Sequence, residues 1–333
     1  MVKNNYFYVV DSGSEANQHM FSDVKKMPNA LQTSNVVSIS NPVLRLLNKL
    51  HLSTKINKII DLPGKGIWDW AYIFDQNGLD ENIIYWIIIT NWSICRFGRS
   101  YLEKISHKKN VRLVLIYLDP VSAIPAFYRK RISGLQFSLI YSFDVKDCKK
   151  YGWIYTNELY SKNELLLKDK PSHDVYFIGL DKGRAKELKQ IYDYFCDAGL
   201  ICDFNIIAEK STPHISADGF NIHSRRLSYK EVLAGINDSK CILEIVQNGQ
   251  SGMTMRPYEA IFYNKRLLTN NRCLEEMPFY DPRYMQIYST VDEIDVSAIM
   301  STERVDYGYH DEYSPINLLR HMPDDWRKSH ESN

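Results

Sequence analysis

The residues best suited to chemistry lie between 242 and 271, where an apolar run leads through a polar, glycine-bearing loop into a helical stretch. Helix amino termini carry unpaired backbone N–H groups that favour anions. In the first turn, Arg256 can grip two diphosphate oxygens, and Glu259 offers two acceptor oxygens that suit a ribose diol. This grouping predicts a nucleotide-diphosphate site. The alternative is an ordinary surface ion pair, three positions apart on a helix.

A second loop with similar properties occupies 179–184, between an apolar run and a long helical stretch. Its backbone N–H groups can face a phosphate, and Lys182 and Arg184 can neutralise a leaving nucleoside diphosphate. The loop has neither the G-x-x-x-x-G-K-[ST] nor the G-x-G-x-x-G spacing, so ATPase and dinucleotide-binding interpretations are weak. The alternative is a solvated helix start that carries two basic residues.

The elements that must position these loops alternate between β-rich apolar runs and helical spacing. Ile83–Thr90 is a continuous apolar run of the kind that parallel sheets bury on both faces, and 111–118 and 137–141 are similar. The second half repeats this order, with strands predicted at 175–178, 204–208, 242–246 and 267–269. The sequence therefore predicts an α/β fold with two Rossmann-like domains of mainly parallel strands, facing a cleft.

A polar segment at 157–172 marks the predicted domain boundary. We place an N-terminal domain at 1–155, a C-terminal domain at 156–312 and a final helix at 313–333. The apolar spacing of Leu318, Leu319, Met322 and Trp326 suits packing of that helix back on the N-terminal domain. Residues 1–155 carry a net charge of +8, with 20 basic and 12 acidic residues, and the remainder carries −7. Opposite charges indicate different partners, although charge can also drift without functional meaning.

Composition excludes several classes of protein. A chain of 333 residues with 44% hydrophobic and 24% charged residues is not a disordered protein. The longest apolar run is far below the ~18 residues of a membrane span, and no signal-peptide pattern is present, so we expect a cytoplasmic protein. The six scattered cysteines form no C-x-x-C pair, and we expect reduced thiols. With no Asp-x-Asp pair and no histidine cluster, we expect no metal and no cofactor.

Several of these segments resemble one enzyme family. Gly252, Arg256 and Glu259-Ala260, followed by NKRLLTN at 264–270, resemble the donor-binding region of GT-B-fold glycosyltransferases. Segments 138–151, 174–184 and 228–245 resemble parts of bacterial GT-B enzymes that build lipopolysaccharide, capsule and exopolysaccharide. The resemblance covers about 140–280 well and the first 135 residues only loosely.

The resemblance implies a metal-independent hexosyltransferase that moves a sugar from a nucleotide-sugar donor to a glycan acceptor, lipid-linked, in O-antigen or capsule assembly. The basic clusters at 107–109 and 129–131 could then contact the inner face of the cytoplasmic membrane; no nucleic-acid module is present. The alternative is a non-catalytic nucleotide-sugar or glycan-binding subunit that supports a partner transferase. The residues expected to bind the donor are Gly179, Lys182, Arg184, Gln250, Gly252, Thr254, Arg256 and Glu259.

A sugar hydroxyl that attacks an anomeric carbon benefits from a base. The candidates are Asp11 and Asp119, which follow predicted strands, and Asp69, whose neighbours Trp68 and Trp70 could stack on a sugar ring. The sequence does not rank the three, and each could equally be a turn former or a surface acid. Ser251 occupies the place of the first acid in the E-x7-E pattern of retaining GT-B enzymes, which leaves the stereochemistry open.

Overall fold

The computed structural model describes residues 4–60, 62–76, 78–162, 170–246 and 254–331. The chain forms two compact units. Unit 1 comprises Met1–Lys162 together with Asp311–Asn333, and unit 2 comprises Asn163–His310. The chain therefore leaves unit 1, builds unit 2 and returns to unit 1 for its last segment.

Strands and helices alternate along the chain in both units. The strands are β1 (Asn4–Val10), β2 (Ala30–Thr33), β3 (Ile83–Thr90), β4 (Val111–Tyr117), β5 (Leu139–Ser142), β6 (Ile154–Tyr155), β7 (His173–Leu180), β8 (Cys202–Ile207), β9 (Phe220–His223), β10 (Ser239–Glu244), β11 (Arg266–Thr269) and β12 (Met285–Ile287). The helices are α1 (Glu15–Met20), α2 (Pro42–His51), α3 (Thr54–Asn57), α4 (Ile73–Gln76), α5 (Arg99–Ser106), α6 (Ala126–Ile132), α7 (Val145–Tyr151), α8 (Ala185–Asp197), α9 (Tyr229–Asn237), α10 (Met255–Phe262), α11 (Val296–Met300) and α12 (Pro315–Glu331).

Short 3-10 turns complete the secondary structure. They occupy Ser22–Lys26, Lys65–Ala71, Ser93–Arg96, Val121–Ala123, Arg272–Glu276 and Val291–Glu293. Within the described ranges, no helix has the length and apolar character needed to cross a membrane.

Each unit contains a six-stranded sheet in which the paired strands run parallel. The strand order is β2-β1-β3-β4-β5-β6 in unit 1 and β9-β8-β7-β10-β11-β12 in unit 2. In the first sheet, β2 lies on one side of β1 and β3 on the other, so the direction in which successive strands are added reverses between β1 and β3. In the second sheet the same reversal occurs between β7 and β10. Ligands of such sheets bind beside these reversal points, at the carboxyl ends of the strands.

The core of unit 1 lies on both faces of its sheet, as the unbroken apolar run of β3 requires. Tyr85, Ile87 and Ile89 pack on one face with α5, while Trp86 and Ile88 pack on the other. The second face is covered partly by α12, whose Leu319 and Met322 are fully buried. In unit 2, α8 buries one apolar stripe against β7 and β8. These parallel strands therefore need cover on both faces, which the crossover helices supply.

Local signals explain several element boundaries. Ser228 accepts a hydrogen bond from the Glu231 backbone and Glu231 returns one, so α9 begins with a complete capping box. Asp144 caps α7, which ends at Gly152 in the left-handed region. The predicted fold class of two Rossmann-like α/β domains with mainly parallel sheets is confirmed. We also expect a weak strand at 36–39 from the sequence, and this prediction is wrong: Val37 forms only an isolated bridge with Tyr72, and the second strand is Ala30–Thr33.

Candidate functional site

The carboxyl edge of the unit 2 sheet is held together by Arg184. Its Nη1 donates to the Ile245 carbonyl after β10, and its Nη2 donates to the Leu180 carbonyl at the end of β7 over 2.8 Å. The guanidinium therefore bridges the two strands at the reversal point. Burial lowers the pKa of Arg184, although neighbouring acids oppose the shift. Arg184 was predicted to meet a diphosphate, yet the structure places it on backbone carbonyls.

The start of α8 is also occupied from within the chain. The buried Asp181 accepts a hydrogen bond from the Ala185 backbone over 2.8 Å and from Thr212 over 2.6 Å. An internal carboxylate therefore already satisfies the first N–H group of this helix. Lys182 is exposed at a φ of 47°, and its backbone N–H donates to Glu209. Lys182 thus has the most exposed side chain of this loop.

Gly179 on β7 lies close to the side chains of Phe177 and Arg184. A Cβ at this position would stand 3.0 Å from the ring of Phe177 and 3.5 Å from Nη2 of Arg184. A larger residue would therefore press on the arginine bridge, which gives Gly179 a packing role.

The beginning of α10 is built around a buried glutamate that the sequence did not single out. Thr254 caps the helix, accepting a hydrogen bond from the Arg256 backbone over 3.1 Å. Its hydroxyl donates to Glu244 at the end of β10, and Thr269 of β11 donates to the other Glu244 oxygen. Burial raises the pKa of Glu244, and the two hydroxyl bonds oppose that shift. Glu244 thus ties two strand ends to the helix start.

Arg256 and Glu259 form an ion pair one helical turn apart on α10. Nη1 of Arg256 donates to Oε2 of Glu259, and the Tyr229 hydroxyl of α9 donates to Oε1 over 3.2 Å. Glu259 has no exposed surface, whereas the Arg256 side chain is 20% exposed. Burial raises the pKa of Glu259, while the Arg256 charge and the Tyr229 bond lower it. This pair is not the surface pair that the alternative interpretation expected, because its acid is in the core.

A tyrosine beside this pair was also missed by sequence reasoning. The Tyr176 hydroxyl on β7 is buried and has no hydrogen-bond partner among the described residues. Its ring lies against Gly235 of α9, where an added Cβ would approach Cε2 to 2.2 Å. The charges of Arg256 and Glu259 act on this hydroxyl, whose pKa is raised mainly by burial. Glycine at 235 is what lets the ring reach this position.

Two further predicted donor residues, Gln250 and Gly252, lie outside the described residues. In unit 2 the structure thus brings together Arg184, Glu244, Thr254, Arg256 and Glu259 around the ends of β7 and β10. Within the described residues, no group of three or more His, Cys, Asp or Glu side chains is arranged to hold a metal ion.

The carboxyl edge of unit 1 contains a cavity of about 1090 Å³. Ser12, Ser34 and Trp92 line it from the segments that follow β1, β2 and β3. Most of the side chains that line the cavity are polar. They include Arg96, which donates a hydrogen bond to the Ser12 carbonyl, and Asn48 of α2. Such a mixture of hydroxyl, amide and aromatic groups suits a polar ligand with many hydroxyls.

Asn48 is the most informative of the cavity residues. It is 7% exposed, and its Nδ2 has no hydrogen-bond partner among the described residues. An unpaired buried amide costs stability unless another molecule satisfies it. Sequence reasoning missed Asn48 because helical spacing alone does not show which face of α2 turns inward.

Asp11 and Asp119 both lie at strand ends, as predicted, but in different surroundings. Asp11 is buried and accepts bonds from the Gly13 backbone over 2.7 Å and from Gln32 over 3.2 Å. Asp119 accepts from the Trp92 indole over 2.6 Å, and Trp92 lines the cavity. Asp11 therefore holds a turn, whereas Asp119 lies one side chain from the cavity.

Glu158 joins Asp119 as a second acid that the sequence did not reveal. Burial, together with the nearby Asp119 charge, raises the pKa of Glu158 to about 8. A carboxyl group with such a pKa is largely protonated at pH 7. A protonated carboxyl group next to a second acid is a recognisable basis for acid–base chemistry.

Asp69 lies in a separate environment beside α4 and α5. Burial raises its pKa, Lys104 opposes this shift and Asp75 adds to it; Oδ1 has no partner among the described residues. The two flanking tryptophans differ. Trp68 is buried and donates to His51 over 3.0 Å, so only Trp70, 53% exposed, could stack on a ligand.

Two solved structures are similar to this chain at low identity. One is described as a "Glycosylation Associate Protein (Gap123) complex from Streptococcus agalactiae", with 11% identity and a TM-score of 0.39 over 63% of this chain. The present chain spans 46% of that protein's length. The other is described as the "Glycotransferase of kitacinnamycin", with 8% identity, a TM-score of 0.42 and 90% coverage of both chains. No protein-family model matches the chain. No curated protein matches it in sequence.

Proposed function

We propose that the chain is a metal-independent glycosyltransferase that binds a nucleotide-sugar at the carboxyl edge of unit 2 and a glycan acceptor at unit 1. The observation that carries this proposal is the convergence of Thr254, Arg256 and Glu259 beside the reversal point of a Rossmann-ordered sheet. A helix start, a guanidinium and a carboxylate at this location match the diphosphate and ribose of one nucleotide. The resemblance of the sequence to GT-B enzymes points to the same location.

Donor binding requires an exchange of partners within the site. Glu259 is buried under Arg256, so its carboxylate becomes available only when the guanidinium moves. A diphosphate at the start of α10 offers Arg256 a more highly charged partner and draws it away from Glu259. Oε2 of Glu259 then accepts from a ribose hydroxyl. Lys182 adds a second positive charge, and Arg184 positions the strand ends.

On the acceptor side, we assign the base to Asp119. Of the three predicted acids, Asp119 is bonded to a residue of the large cavity, whereas Asp11 is engaged in a turn and Asp69 lies beside α4 and α5. The acceptor would be a lipid-linked glycan of surface polysaccharide assembly, such as lipopolysaccharide O-antigen or capsule. The protein would act in the cytoplasm, with its basic unit 1 at the inner membrane face.

The first experiment is a thermal-shift series with UDP, GDP, CDP, TDP and CMP in the absence of metal. A ligand at 100-fold excess over its Kd stabilises the native state by about 2.7 kcal/mol. We expect one nucleotide to raise the melting temperature, and Arg256→Ala to remove that rise. The matched control is Arg225→Ala, which removes an exposed arginine paired with Glu231 in the same unit and leaves the rise intact.

The second experiment uses the donor identified in this way together with a lipid-linked glycan acceptor. Sugar transfer is measured as the release of nucleoside diphosphate. We expect Asp119→Asn to abolish release while the thermal shift persists. Absence of a shift with all five nucleotides would contradict the donor site.

The second candidate function is a non-catalytic nucleotide-sugar or glycan-binding subunit. The specific observation that favours it is the closed state of unit 2, where Glu259 and Arg184 already have internal partners. This candidate predicts binding without turnover when donor and acceptor are both present. Turnover that depends on Asp119 would exclude it.

A further inference from the structure

Unit 1 has an unusual concentration of exposed apolar side chains. Nine of the fifteen exposed large apolar residues in the described chain lie between Val43 and Trp70, which is less than a tenth of the sequence. We name eight of them the outward apolar face: Val43, Leu46, Leu47, Leu50, Ile59, Ile60, Ile67 and Trp70, which are 48–84% exposed. A concentration of this kind marks an interaction surface rather than scattered surface residues.

Helix α2 has its faces reversed relative to an ordinary surface helix. Its polar side lines the large cavity, where Asn48 is buried and the exposed Arg45 donates to the Ile39 and Ser40 carbonyls. Leu46, Leu47 and Leu50 point away, at 58%, 48% and 48% exposure. A helix normally buries its apolar stripe, so the outward stripe of α2 is available to something outside this unit.

The other members of the face belong to elements tied to the end of α2. His51 accepts a hydrogen bond from the Trp68 indole, and its Nε2 lies 2.7 Å from the Pro63 carbonyl. Asn57 donates to the carbonyls of His51 and Ser53. These bonds hold the segment that carries Ile59, Ile60 and Ile67 next to the helix.

The sequence around the face has a net positive charge. Residues 41–70 contain five Lys or Arg and two acids: Asp69, and Asp61, which lies outside the described residues. A second cavity, of about 620 Å³, is lined by Ile59 of the face and by Lys58, Lys65, Arg99, Lys130 and Arg131. None of its described lining residues is acidic. Ile59 therefore joins an apolar surface to a pocket suited to an anionic group.

We propose that unit 1 docks on an anionic phospholipid membrane through the outward apolar face, with a lipid phosphate in this basic cavity. An apolar stripe next to cations matches acyl chains below phosphate headgroups. A protein partner that covered this face would need acids opposite these lysines and a matching apolar patch, whereas an anionic bilayer supplies both throughout its surface. The inference deepens the proposed function, which places unit 1 at a membrane, by naming the docking surface, and its test is separate from that of the donor site in unit 2.

Docking through this face would place the large cavity close to the membrane, because α2 lines that cavity with its other side. A cavity with this wall would lie at the membrane surface, within reach of a molecule anchored in the lipid. The protein would lie on the bilayer, because the face is formed by a ten-residue helix and short turns.

The test is flotation of the full chain with phosphatidylglycerol-rich vesicles and with pure phosphatidylcholine vesicles. We expect binding to the anionic vesicles to exceed binding to the neutral ones at least about tenfold. The triple variant Leu46→Gln, Leu47→Gln, Leu50→Gln should weaken anionic binding by about two orders of magnitude. Its control is Val145→Gln, Ile201→Gln, Met300→Gln, which removes side chains of similar exposure elsewhere and should bind as wild type.

The charge contribution is tested separately. Lys58→Gln with Lys130→Gln should weaken binding to the anionic vesicles about 30-fold, whereas Lys210→Gln with Lys230→Gln, both exposed in unit 2, should leave it unchanged. Circular dichroism of each variant checks folding, and the nucleotide thermal shift should persist throughout. Equal binding to both vesicle types, or no binding, would overturn the proposal. So would a leucine variant that only converts a dimer to a monomer in light scattering, since a second copy would then cover the face.

Discussion

The carboxyl edges of the two sheets differ in how far their polar groups are already satisfied. In unit 2 the charged groups already have hydrogen-bond partners within the unit: Arg184 has two backbone carbonyls, Glu244 has two threonine hydroxyls, and Glu259 has Arg256. In unit 1 a cavity of about 1090 Å³ remains, with the Asn48 amide nitrogen lacking a partner among the described residues. One edge must exchange partners to bind a ligand, whereas the other already has space and an unsatisfied donor.

The largest expected effect comes from breaking the buried pair of unit 2. Glu259→Ala should lower the free energy of unfolding by about 3–5 kcal/mol, because it leaves Arg256 partly buried without its carboxylate. All six tryptophans belong to unit 1, so tryptophan fluorescence in urea follows that unit and far-ultraviolet circular dichroism follows both. We expect part of the circular dichroism signal to be lost at lower urea concentration in the variant, because unit 2 is destabilised. The urea midpoint of the fluorescence transition, which reports unit 1, should not change.

The control for that variant is Asp193→Ala, which removes the acid of an exposed pair with Lys189 on α8. It should cost less than about 1 kcal/mol. Equal losses in the two variants would mean that the Glu259 pair contributes no more than a surface pair, and the contrast between the two edges would be wrong.

A smaller, pH-dependent effect is expected from Glu158 in unit 1. Its pKa is raised from 4.5 to about 8, so the native state keeps a proton that the unfolded chain releases between these values. Wild-type stability should therefore fall as pH rises through this window, and Glu158→Gln should not show that fall. The variant should gain about 2–4 kcal/mol over wild type by pH 8, measured by urea denaturation with fluorescence detection.

Asp119→Asn is the matched test of the cause. Removing that charge should lower the pKa of Glu158 and narrow the pH window in which wild type loses stability. A wild-type profile parallel to that of Glu158→Gln from pH 5 to 8 would show that Glu158 titrates as an exposed acid.

The smallest effect compares two buried asparagines of unit 1. Asn57 donates to two carbonyls and accepts from the Leu62 backbone, whereas Nδ2 of Asn48 has no partner among the described residues. Asn57→Ala should therefore cost about 2–3 kcal/mol and Asn48→Ala less than about 1 kcal/mol in fluorescence-detected unfolding. Asn48→Ala should instead weaken acceptor binding. If both variants lost the same unfolding free energy, the polar groups at the carboxyl edge of unit 1 would be as fully hydrogen-bonded as those of unit 2.

The sequence predicted the fold through patterns that act locally. The apolar run at 83–90 is readable from neighbouring residues, and the strand that it predicts is confirmed as β3. The capping box of α9 is another local signal, because Ser228 and Glu231 are three positions apart. The strand Ala30–Thr33 was not predicted, because it lies at the edge of the sheet and its four residues lack the apolar run of a central strand.

The site was predictable only in part, because burial depends on residues distant in sequence. Arg256 and Glu259 were found from their spacing, but the burial of Glu259 requires Tyr229, which lies thirty positions earlier. The pKa of Glu158 depends on Asp119 in the same way. Lys265 lies in the segment 264–270 that resembles GT-B enzymes, and it donates to the Asn237 carbonyl at the end of α9 and to the Ser239 carbonyl at the start of β10.

The return of the chain to unit 1 sets an order for folding during synthesis. Helix α12 supplies Leu319 and Met322 to the core beneath β1 and β3, and Ser314 donates to the buried Asp23 over 2.9 Å. The ribosome releases these residues only after all of 163–310 has emerged. Unit 2 can therefore complete its core while still tethered, whereas one face of the unit 1 sheet stays uncovered until α12 has emerged. A nascent chain stalled before 311 would expose that face to chaperones.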